Sequence, residues 1–359
     1  MIDERTKTIF VDYSTLAVHQ ACEEKCRLGS VRGWRKPDLK LDFGHAIHAG
    51  WAAYYDALAG GWHAVDGKWY AWRDNEMKAN LADNAMLSAK AAFLRDMGHR
   101  DSGATIPVNV ESDERRSLER GQALLEGYFE RWKDEPYDNI LRADGSPLVE
   151  VGFQFYLCQF QEYRVVCVGY IDRIMRNRYS GRPTIVEGKT TTQALPQFIQ
   201  QVKPNHQISI YFRPANELME KMGLGVVREC VWDCMFISDR KPNYGKSLTE
   251  PLMMYGVDVV KDYARQTTTR SSADVTAVTQ DLEESALNYC KSLFSQKTRW
   301  KRTAPGACHA YGGCKFRNRC SMNIDEVEEL AFMQSEGFTE AKWEPWRKIV
   351  EAENGKGTS

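Results

Sequence analysis

The stretch GYIDRIMRNRYSGRPTIVEGKTTT, residues 169–192, carries the pattern that decides the fold of this chain. Two runs of apolar and β-branched residues flank the segment NRYSGRP, a composition typical of two strands joined by a turn. Asp172 interrupts the first run and Glu187 interrupts the second. Glu187 and Lys189 are two residues apart, so their side chains project from the same face of a strand. Two adjacent strands can therefore bring two carboxylates and one ammonium group into a single cleft.

The neighbouring sequence extends this sheet and adds helices. Residues 148–158 alternate polar and apolar side chains, and with the two runs above they predict a β-meander. A helix is predicted over 205–221, followed by the apolar strand VVRECVWDCMFI. Earlier helices are predicted over 14–28, with Ser14 as the N-cap, and over 43–59. The predicted fold class is α/β, with a central mixed sheet flanked by helices and a mostly helical insertion over 60–140.

Two carboxylates and a lysine in one cleft suit phosphodiester hydrolysis. Carboxylate oxygens are hard ligands that hold Mg²⁺ or Mn²⁺ and leave positions for water and phosphate. The cation activates the water and stabilises developing charge, while the lysine orients the water or helps to deprotonate it. The alternative is a salt bridge on an exposed strand edge, since an E-x-K triplet alone is common. The apolar residues before Asp172 and Glu187 argue against that alternative, because an acid in such a strand is costly unless paired or metal-bound.

The order of motifs along the chain resembles the RecB-like branch of the PD-(D/E)XK nucleases. The matching motifs are Gly44-x-x-x-His48, Gly169-x-x-Asp172, Glu187-x-Lys189 and Gln207-x-x-x-Tyr211. The resemblance implies a restriction-endonuclease-like core and a metal-dependent DNA nuclease. One departure is that Ile171, rather than proline, precedes Asp172.

The resemblance also implies a role for each matching residue. It assigns metal binding to His48, Asp172, Glu187 and the carbonyl oxygen of Gly188. It assigns action on the water to Lys189, and either orientation of that lysine or a DNA contact to Gln207 and Tyr211. A competing histidine, His45, precedes His48 by three residues, and on a helix these two side chains point in neighbouring but different directions.

A group of cysteines near the end of the chain forms a second candidate site. Cys308, Cys314 and Cys320 are separated by five residues each in a polar, basic loop. Thiolates bind iron–sulfur clusters or zinc, and a closed site needs a fourth ligand. The segment resembles AddB-type and CRISPR-adaptation nucleases, in which three late cysteines and one early cysteine hold a 4Fe-4S cluster. This resemblance implies Cys22 as the fourth ligand, with Cys26 as the alternative residue and zinc as the alternative metal.

These observations predict one RecB-like nuclease domain over 1–325, with a catalytic sheet core over 148–238, a cysteine clasp over 300–322 and a C-terminal tail over 326–359. The expected activity is Mg²⁺- or Mn²⁺-dependent exonuclease action on DNA ends in recombination, repair or replication. A helicase or recombination protein is a potential partner. The rival hypotheses are a non-catalytic DNA-binding or scaffold module and an RNA-directed enzyme. The start MIDERTKTIF has no apolar signal-like segment, and no apolar run approaches membrane-spanning length, so the expected location is the cytoplasm.

Overall fold

A computed structural model describes residues 2–59, 62–65, 68–71, 75–103, 113–295, 300–302, 308, 313–322 and 324–341. The strands, in chain order, are β1 (Ile2–Asp3), β2 (Thr8–Val11), β3 (Trp34–Arg35), β4 (Trp62–Val65), β5 (Lys68–Ala71), β6 (Tyr137–Asn139), β7 (Val149–Phe160), β8 (Tyr163–Asn177), β9 (Pro183–Thr191), β10 (Glu229–Phe236), β11 (Tyr263–Thr269) and β12 (Thr339–Glu340). The α-helices are α1 (Tyr13–Ala21), α2 (Glu23–Cys26), α3 (Leu39–Ala59), α4 (Asn75–Gly103), α5 (Leu118–Arg131), α6 (Leu195–Ile199), α7 (His206–Lys221), α8 (Ser272–Leu293), α9 (Arg317–Ser321) and α10 (Glu326–Ser335).

The chain forms two compact units. The terminal unit contains Met1–Pro37, Gly152–Tyr170 and Ser272–Ser359, and the central unit contains Asp38–Val151 and Ile171–Ser271. The long strands β7 and β8 each contribute residues to both units. In the part of the chain that the structure describes, no helix is both long enough and apolar enough to cross a membrane.

The central unit contains a mixed sheet. Strand β8 runs antiparallel to β9, with Arg173 opposite Val186, and β9 runs parallel to β10, with Glu187 opposite Trp232. Strand β11 adds to β10 in the antiparallel direction, and β6 adds to β8 in the same way. The prediction of an α/β fold with a mixed central sheet flanked by helices is therefore confirmed.

Helices cover both faces of this sheet, and the alternation of side chains along β9 explains why. Val186 packs in a core with Phe43 and Ile47 of α3, together with residues of α4 and α5. The next residue, Glu187, projects to the opposite face. On that face α7 packs against β9, and Phe198 of α6 stacks on Trp232 of β10 with ring centroids 4.8 Å apart. Glu187 of the site described below therefore lies on the face of the sheet that α7 covers.

Helix α3 approaches the sheet closely at Gly44, the first residue of the G-x-x-x-H motif. A methyl group at this position would lie 3.1 Å from the hydroxyl oxygen of Thr190 on β9. This contact is tighter than an ordinary van der Waals contact, so a side chain at position 44 would require the Thr190 side chain to shift by a few tenths of an ångström. The glycine sets the distance at which His48, one turn later, meets the sheet.

The terminal unit has its own small core and a buried ion network. Strand β2 pairs in parallel with the first part of β8, with Ile9 opposite Val165. The segment assigned from sequence to a C-terminal tail contributes α10 and β12, and β12 pairs with β3. A buried network, which we call the terminal ion network, joins these parts: Glu24, Arg27, Arg319 and Glu329.

Several expectations about local structure were wrong. The Ser/Thr-rich segment QTTTRSSAD, residues 266–274, has a composition that predicts a mobile loop, but it forms the end of β11 and the start of α8. Its threonines suit a strand, and their pairing partner on β10 lies about 35 residues earlier, so a local pattern could not show it. Helix α1 begins at Tyr13 with Asp12, not Ser14, as its N-cap, and Asp12 accepts a hydrogen bond from the Thr15 N–H at 2.8 Å. Strands β1, β2 and β6 were not predicted.

Candidate active site

Asp172 and Glu187 lie on neighbouring strands of the central unit, as the sequence predicts. The pairing of β8 with β9 ends at Arg173 and Val186, and the two acids are the next residues on their strands. The Asp172 side chain is 17% exposed and that of Glu187 is 3% exposed. Both carboxyl groups are therefore largely shielded from water. A charged group that is shielded from water needs a partner.

A chain of hydrogen bonds runs from Glu187 to α7. The Lys189 Nζ donates to Glu187 Oε1 at 2.7 Å and to Gln207 Oε1 at 3.3 Å. Because a lysine ammonium can only donate, it requires the oxygen of the Gln207 amide on its side. The Gln207 Nε2 then donates to the Tyr211 hydroxyl at 2.7 Å. Tyr211 is only 6% exposed, so this geometry suits the predicted orienting role better than a DNA contact.

His48 reaches the same place from α3. Its Nδ1 lies 3.3 Å from Asp172 Oδ2, and its side chain is 28% exposed. The competing histidine, His45, is exposed on the same helix. His48 also meets the edge of the Trp51 ring, with centroids 5.1 Å apart. The structure thus places His48, as the sequence predicts, beside the first carboxylate.

Gly188 is tightly enclosed between Glu187 and Lys189. Its N–H donates to Asp172 Oδ2 at 2.8 Å. A methyl group at this position would lie 2.3 Å from the Trp51 ring and 3.2 Å from the same Asp172 oxygen. Only glycine fits without displacing the ring or the strand, so Gly188 lets Asp172 approach the backbone of β9.

One residue of the site was not predicted from sequence. Glu150, near the start of β7, places a carboxylate oxygen within 4.8 Å of ligand atoms of both His48 and Asp172. Among the residues that the structure describes, His48, Glu150 and Asp172 are the group of potential metal ligands whose ligand atoms all lie within 4.8 Å of one another. Glu187 does not belong to this group. The alternating pattern of β7 suggested an ordinary solvent-facing acid at this position. No signal in the sequence pattern distinguishes Glu150 from the other polar residues of this strand.

The acids respond to one another electrostatically. Burial raises the pKa of Glu187 to about 7, and the neighbouring Asp172 carboxylate adds to the rise. Burial also acts to raise the pKa of Asp172, but the adjacent His48 outweighs it and lowers this pKa to about 2. Glu150 keeps solvent contact, yet the protein atoms crowded around its carboxyl group, together with Asp172, raise its pKa to about 7. Burial lowers the pKa of His48, but Asp172 more than offsets this and raises it. The site therefore gathers three carboxyl groups around one lysine and one histidine, and two of these carboxyl groups hold a proton more readily than an isolated carboxyl group does.

The residues fit a hard divalent cation. Glu187 Oε2 is buried and has no hydrogen-bond partner, whereas Oε1 accepts from Lys189. An unsatisfied buried carboxylate oxygen costs free energy, and a cation would remove that cost. Carboxylate oxygens with one imidazole nitrogen form a ligand set that suits Mn²⁺, and Mg²⁺ accepts the same oxygens.

The cysteines of the second predicted site all lie in the terminal unit. Cys22, Cys308, Cys314 and Cys320 are partly exposed, and we call them the cysteine cluster. Burial raises the pKa of the Cys320 thiol to about 11, and Cys314 and Cys22 are both close enough to add to the rise. Backbone contacts also join the late cysteines, since the Cys314 N–H donates to the Cys308 carbonyl at 2.8 Å.

The alternative ligand, Cys26, has different surroundings. It is fully buried, and its thiol donates to the Thr15 carbonyl at 3.7 Å. Its pKa is raised to about 12 by burial, which keeps the thiol protonated. Of the two early cysteines, Cys22 is therefore the one whose environment resembles that of the late three.

Comparison with known proteins identifies no relative. No protein-family model matches the chain, and no curated protein is significantly similar to it in sequence.

Proposed function

We propose that this protein is a Mg²⁺- or Mn²⁺-dependent deoxyribonuclease of the PD-(D/E)XK class, with a restriction-endonuclease-like core of the RecB-like branch. The observation that carries the proposal is the convergence of Asp172, Glu187 and Lys189 at one point of a mixed sheet, with His48 joined to Asp172. The buried, unpartnered oxygen of Glu187 supports it, because it needs a cation.

Each residue has a role that follows from its contacts. His48, Asp172 and Glu187 would hold the cation, with the carbonyl oxygen of Gly188 as a further ligand. When bound, a divalent cation supplies water activation and stabilises the charge that develops on phosphate. Lys189 is positioned to hold and orient a water or a phosphate oxygen, since Glu187 and Gln207 fix its ammonium group.

Gln207 and Tyr211 are positioning residues in this proposal. Tyr211 fixes the amide of Gln207, and the amide oxygen fixes Lys189. A lysine held by two acceptors loses less conformational freedom when the substrate binds than an unrestrained one would. The substrate class that we favour is DNA, attacked at its ends during recombination, repair or replication, with a helicase or recombination protein as a potential partner.

The rival function, a non-catalytic DNA-binding or scaffold module, explains the site less well. A scaffold gains nothing from carboxyl groups of two strands gathered beside each other, because their mutual repulsion lowers stability unless a cation or a proton lies between them. Nor would it need a lysine that is oriented through two further residues of α7.

The direct test uses purified full-length protein with end-labelled single-stranded DNA, double-stranded DNA and RNA. We expect Mn²⁺ or Mg²⁺ to support DNA cleavage, EDTA to abolish it, and Ca²⁺ not to restore it. Shortening from labelled ends indicates exonuclease action, and internal fragments of closed circular DNA indicate endonuclease action. An absence of cleavage of every substrate with either metal would contradict the proposal, and cleavage of RNA alone would reassign the substrate.

For the terminal unit, we propose a 4Fe-4S cluster held by Cys22, Cys308, Cys314 and Cys320, with zinc as the alternative. The support is that Cys22, Cys308, Cys314 and Cys320 share partial exposure, while the Cys26 thiol is buried and donates to the Thr15 carbonyl. Protein purified without oxygen should be brown and contain iron and acid-labile sulfide. Colourless protein with stoichiometric zinc would replace the cluster by zinc, and protein with neither metal would reject both.

A further inference from the structure

A third acid faces His48 and Asp172 from a strand outside the predicted motifs. Glu150 lies on β7, and one of its carboxylate oxygens is within 4.8 Å of the ligand atoms of both residues. In the described part of the chain, neither a hydrogen bond nor an ion pair holds this carboxyl group. Two carboxylates this close repel each other unless a cation or a proton lies between them.

The backbone at Glu150 is unusual for a residue with a side chain. Its φ is +47°, in the left-handed region that glycine adopts without cost and other residues avoid. A glycine, Gly152, lies two residues later on the same strand, yet the strained position carries a glutamate. Backbone strain of this kind is retained where the orientation that it gives a side chain serves a function, and it is concentrated at ligand-binding sites.

The spacing of the three groups is close to that of a preformed coordination site. Ligands about 2.1 Å from an octahedral ion are about 3.0 Å apart when adjacent and about 4.2 Å apart when opposite. His48 Nδ1 and Asp172 Oδ2, at 3.3 Å, match an adjacent pair. One Glu150 carboxylate oxygen lies within 4.8 Å of both atoms. A second, independent sign of a cation at this place is the buried, unpartnered Oε2 of Glu187.

We infer that Glu150 is a further ligand of the cation that His48 and Asp172 hold, so that β7 contributes to the metal site. The inference rests on the metal centre of the proposed function and adds a residue to it. The resulting set has one imidazole nitrogen and two carboxylates, and it favours Mn²⁺ over Mg²⁺ because imidazole suits transition-metal ions. Glu187 would face the cation from the other strand.

The test measures Mn²⁺ binding to the full-length protein by isothermal titration calorimetry. We expect Glu150→Gln, which keeps the size of the side chain and removes its charge, to raise the Kd for Mn²⁺ at least about tenfold, the lower end of the effect of losing a supporting group at a metal site. Glu162→Gln is the matched control, because Glu162 is an exposed glutamate at the turn that follows β7. An unchanged Kd for Glu150→Gln would overturn the inference.

A second variant separates metal binding from a structural role. Glu150→Gly relieves the left-handed backbone, so we expect the melting temperature of the metal-free protein to rise. A ligand stabilises only the state that it binds. Adding Mn²⁺ should therefore raise the melting temperature of Glu150→Gly by less than it raises that of the wild-type protein. A fall in melting temperature without metal, with an undiminished Mn²⁺ effect, would assign Glu150 a structural role and overturn the inference.

The nuclease assay distinguishes this inference from the proposed function. Metal-dependent DNA cleavage by a Glu150→Gln variant that retains wild-type Mn²⁺ affinity would reject the role of Glu150 and leave the nuclease proposal intact. Glu150-dependent Mn²⁺ binding in a protein that cleaves no nucleic acid would support the role of Glu150 and reject the nuclease proposal.

Discussion

Two groups of charged residues lie side by side in the central unit, and they differ in charge balance. The candidate active site contains Glu150, Asp172 and Glu187, with Lys189 and His48 as its basic residues. The other group, which we call the arginine network, lies on the face of the sheet that α3 and α5 cover. Its members are Arg173, Arg265, Asp233, Glu135, Tyr128 and Tyr55.

The arginine network supplies its own counterions. Arg265 makes a two-pronged contact with Glu135 at 2.6 and 2.9 Å, and both arginines contact Asp233 Oδ2, at 3.0 and 3.2 Å. Two guanidinium groups therefore balance two carboxylates. The terminal ion network follows the same rule, because Arg27 and Arg319 balance Glu24 and Glu329.

The candidate active site does not follow this rule. Three carboxyl groups face one lysine and one histidine, so the acids of the site outnumber its bases. Buried acids that serve stability are paired within the protein, whereas acids that bind a cation leave part of their charge for it. The comparison shows that charge balance separates the two groups, although burial alone would not.

The largest effect on DNA cleavage should come from substituting the charged residues of the candidate active site. We expect Lys189→Met and Glu187→Gln each to lower the rate of DNA cleavage about 1000-fold, as the loss of a well-placed acid–base or electrostatic group does. Stability to urea should stay level or rise in Glu187→Gln, because a buried charge is removed. The matched control is Lys241→Met, whose lysine is 79% exposed. Full cleavage by both site variants would refute the catalytic assignment.

Breaking the arginine network should instead lower the stability of the fold. Asp233→Asn leaves Arg173 and Arg265 short of a counterion in a buried place, which should cost about 3–5 kcal/mol of unfolding free energy. Asp138→Asn is the control, because Asp138 pairs with Arg178 at the surface and its loss should cost less than about 1 kcal/mol. Urea unfolding measures both. Equal losses in the two variants would mean that the network contributes no more than a surface pair.

A third prediction concerns the contact between the two groups at Gly188, whose partner across the strands is Asp233. Gly188→Ala forces its methyl group onto the Trp51 ring, so the Asp172 contact with the Gly188 N–H should be displaced. We expect about a 100-fold loss of cleavage, which is the effect of misplacing a reacting group by about 1 Å. Gly98→Ala is the control, because a methyl group there meets nothing within 4 Å.

Trp51→Ala in the Gly188→Ala background tests the cause of that loss. Removing the ring restores space for the methyl group, so the double variant should be less impaired than the sum of the two single effects. Additive losses would show that the clash with Trp51 is not the reason that position 188 requires glycine.

The central sheet could be predicted because its information is local. Apolar alternation and the turn NRYSGRP indicate the meander without knowledge of distant residues, and the spacing of Glu187 and Lys189 fixes their common face. Strand β11 escaped prediction because its partner on β10 is remote in sequence. Glu150 escaped for a different reason: only the three-dimensional approach of β7 to His48 and Asp172 distinguishes it from any other polar strand residue.

The arginine network could not be predicted either. Arg173 follows Asp172 directly, and nothing in the sequence indicates that one residue belongs to a balanced, buried network while its neighbour belongs to the site. Their roles depend on Asp233 and Tyr128, which are distant in sequence and arrive through the packing of α5 and β10. Side-chain alternation along β8 places Asp172 and Arg173 on opposite faces of the sheet. The counterions of Arg173, however, come only from tertiary contacts.

The smallest effect on DNA cleavage should come from the terminal unit, where a balanced ion network and the cysteine cluster lie together. We expect Cys22→Ser to remove the colour and bound iron, because Cys22 is the proposed fourth ligand of the cluster. Cys26→Ser should keep both, since the Cys26 thiol faces the Thr15 carbonyl and a serine hydroxyl can donate to the same oxygen. Absorbance and iron content measure the difference.

Cleavage should change less in Cys22→Ser than in any variant of the central unit. The terminal ion network still joins Glu24 of α2 to Glu329 of α10 through Arg27, so the unit keeps its buried pairs without the cluster. Its melting temperature should nevertheless fall, because a cluster that closes a loop of nearly 300 residues restricts the unfolded chain. If the Cys26→Ser protein were colourless and the Cys22→Ser protein brown, the fourth ligand would be Cys26 rather than Cys22. A loss of cleavage in Cys22→Ser as large as that in Lys189→Met, with the fold retained, would mean that the cluster takes part in the reaction.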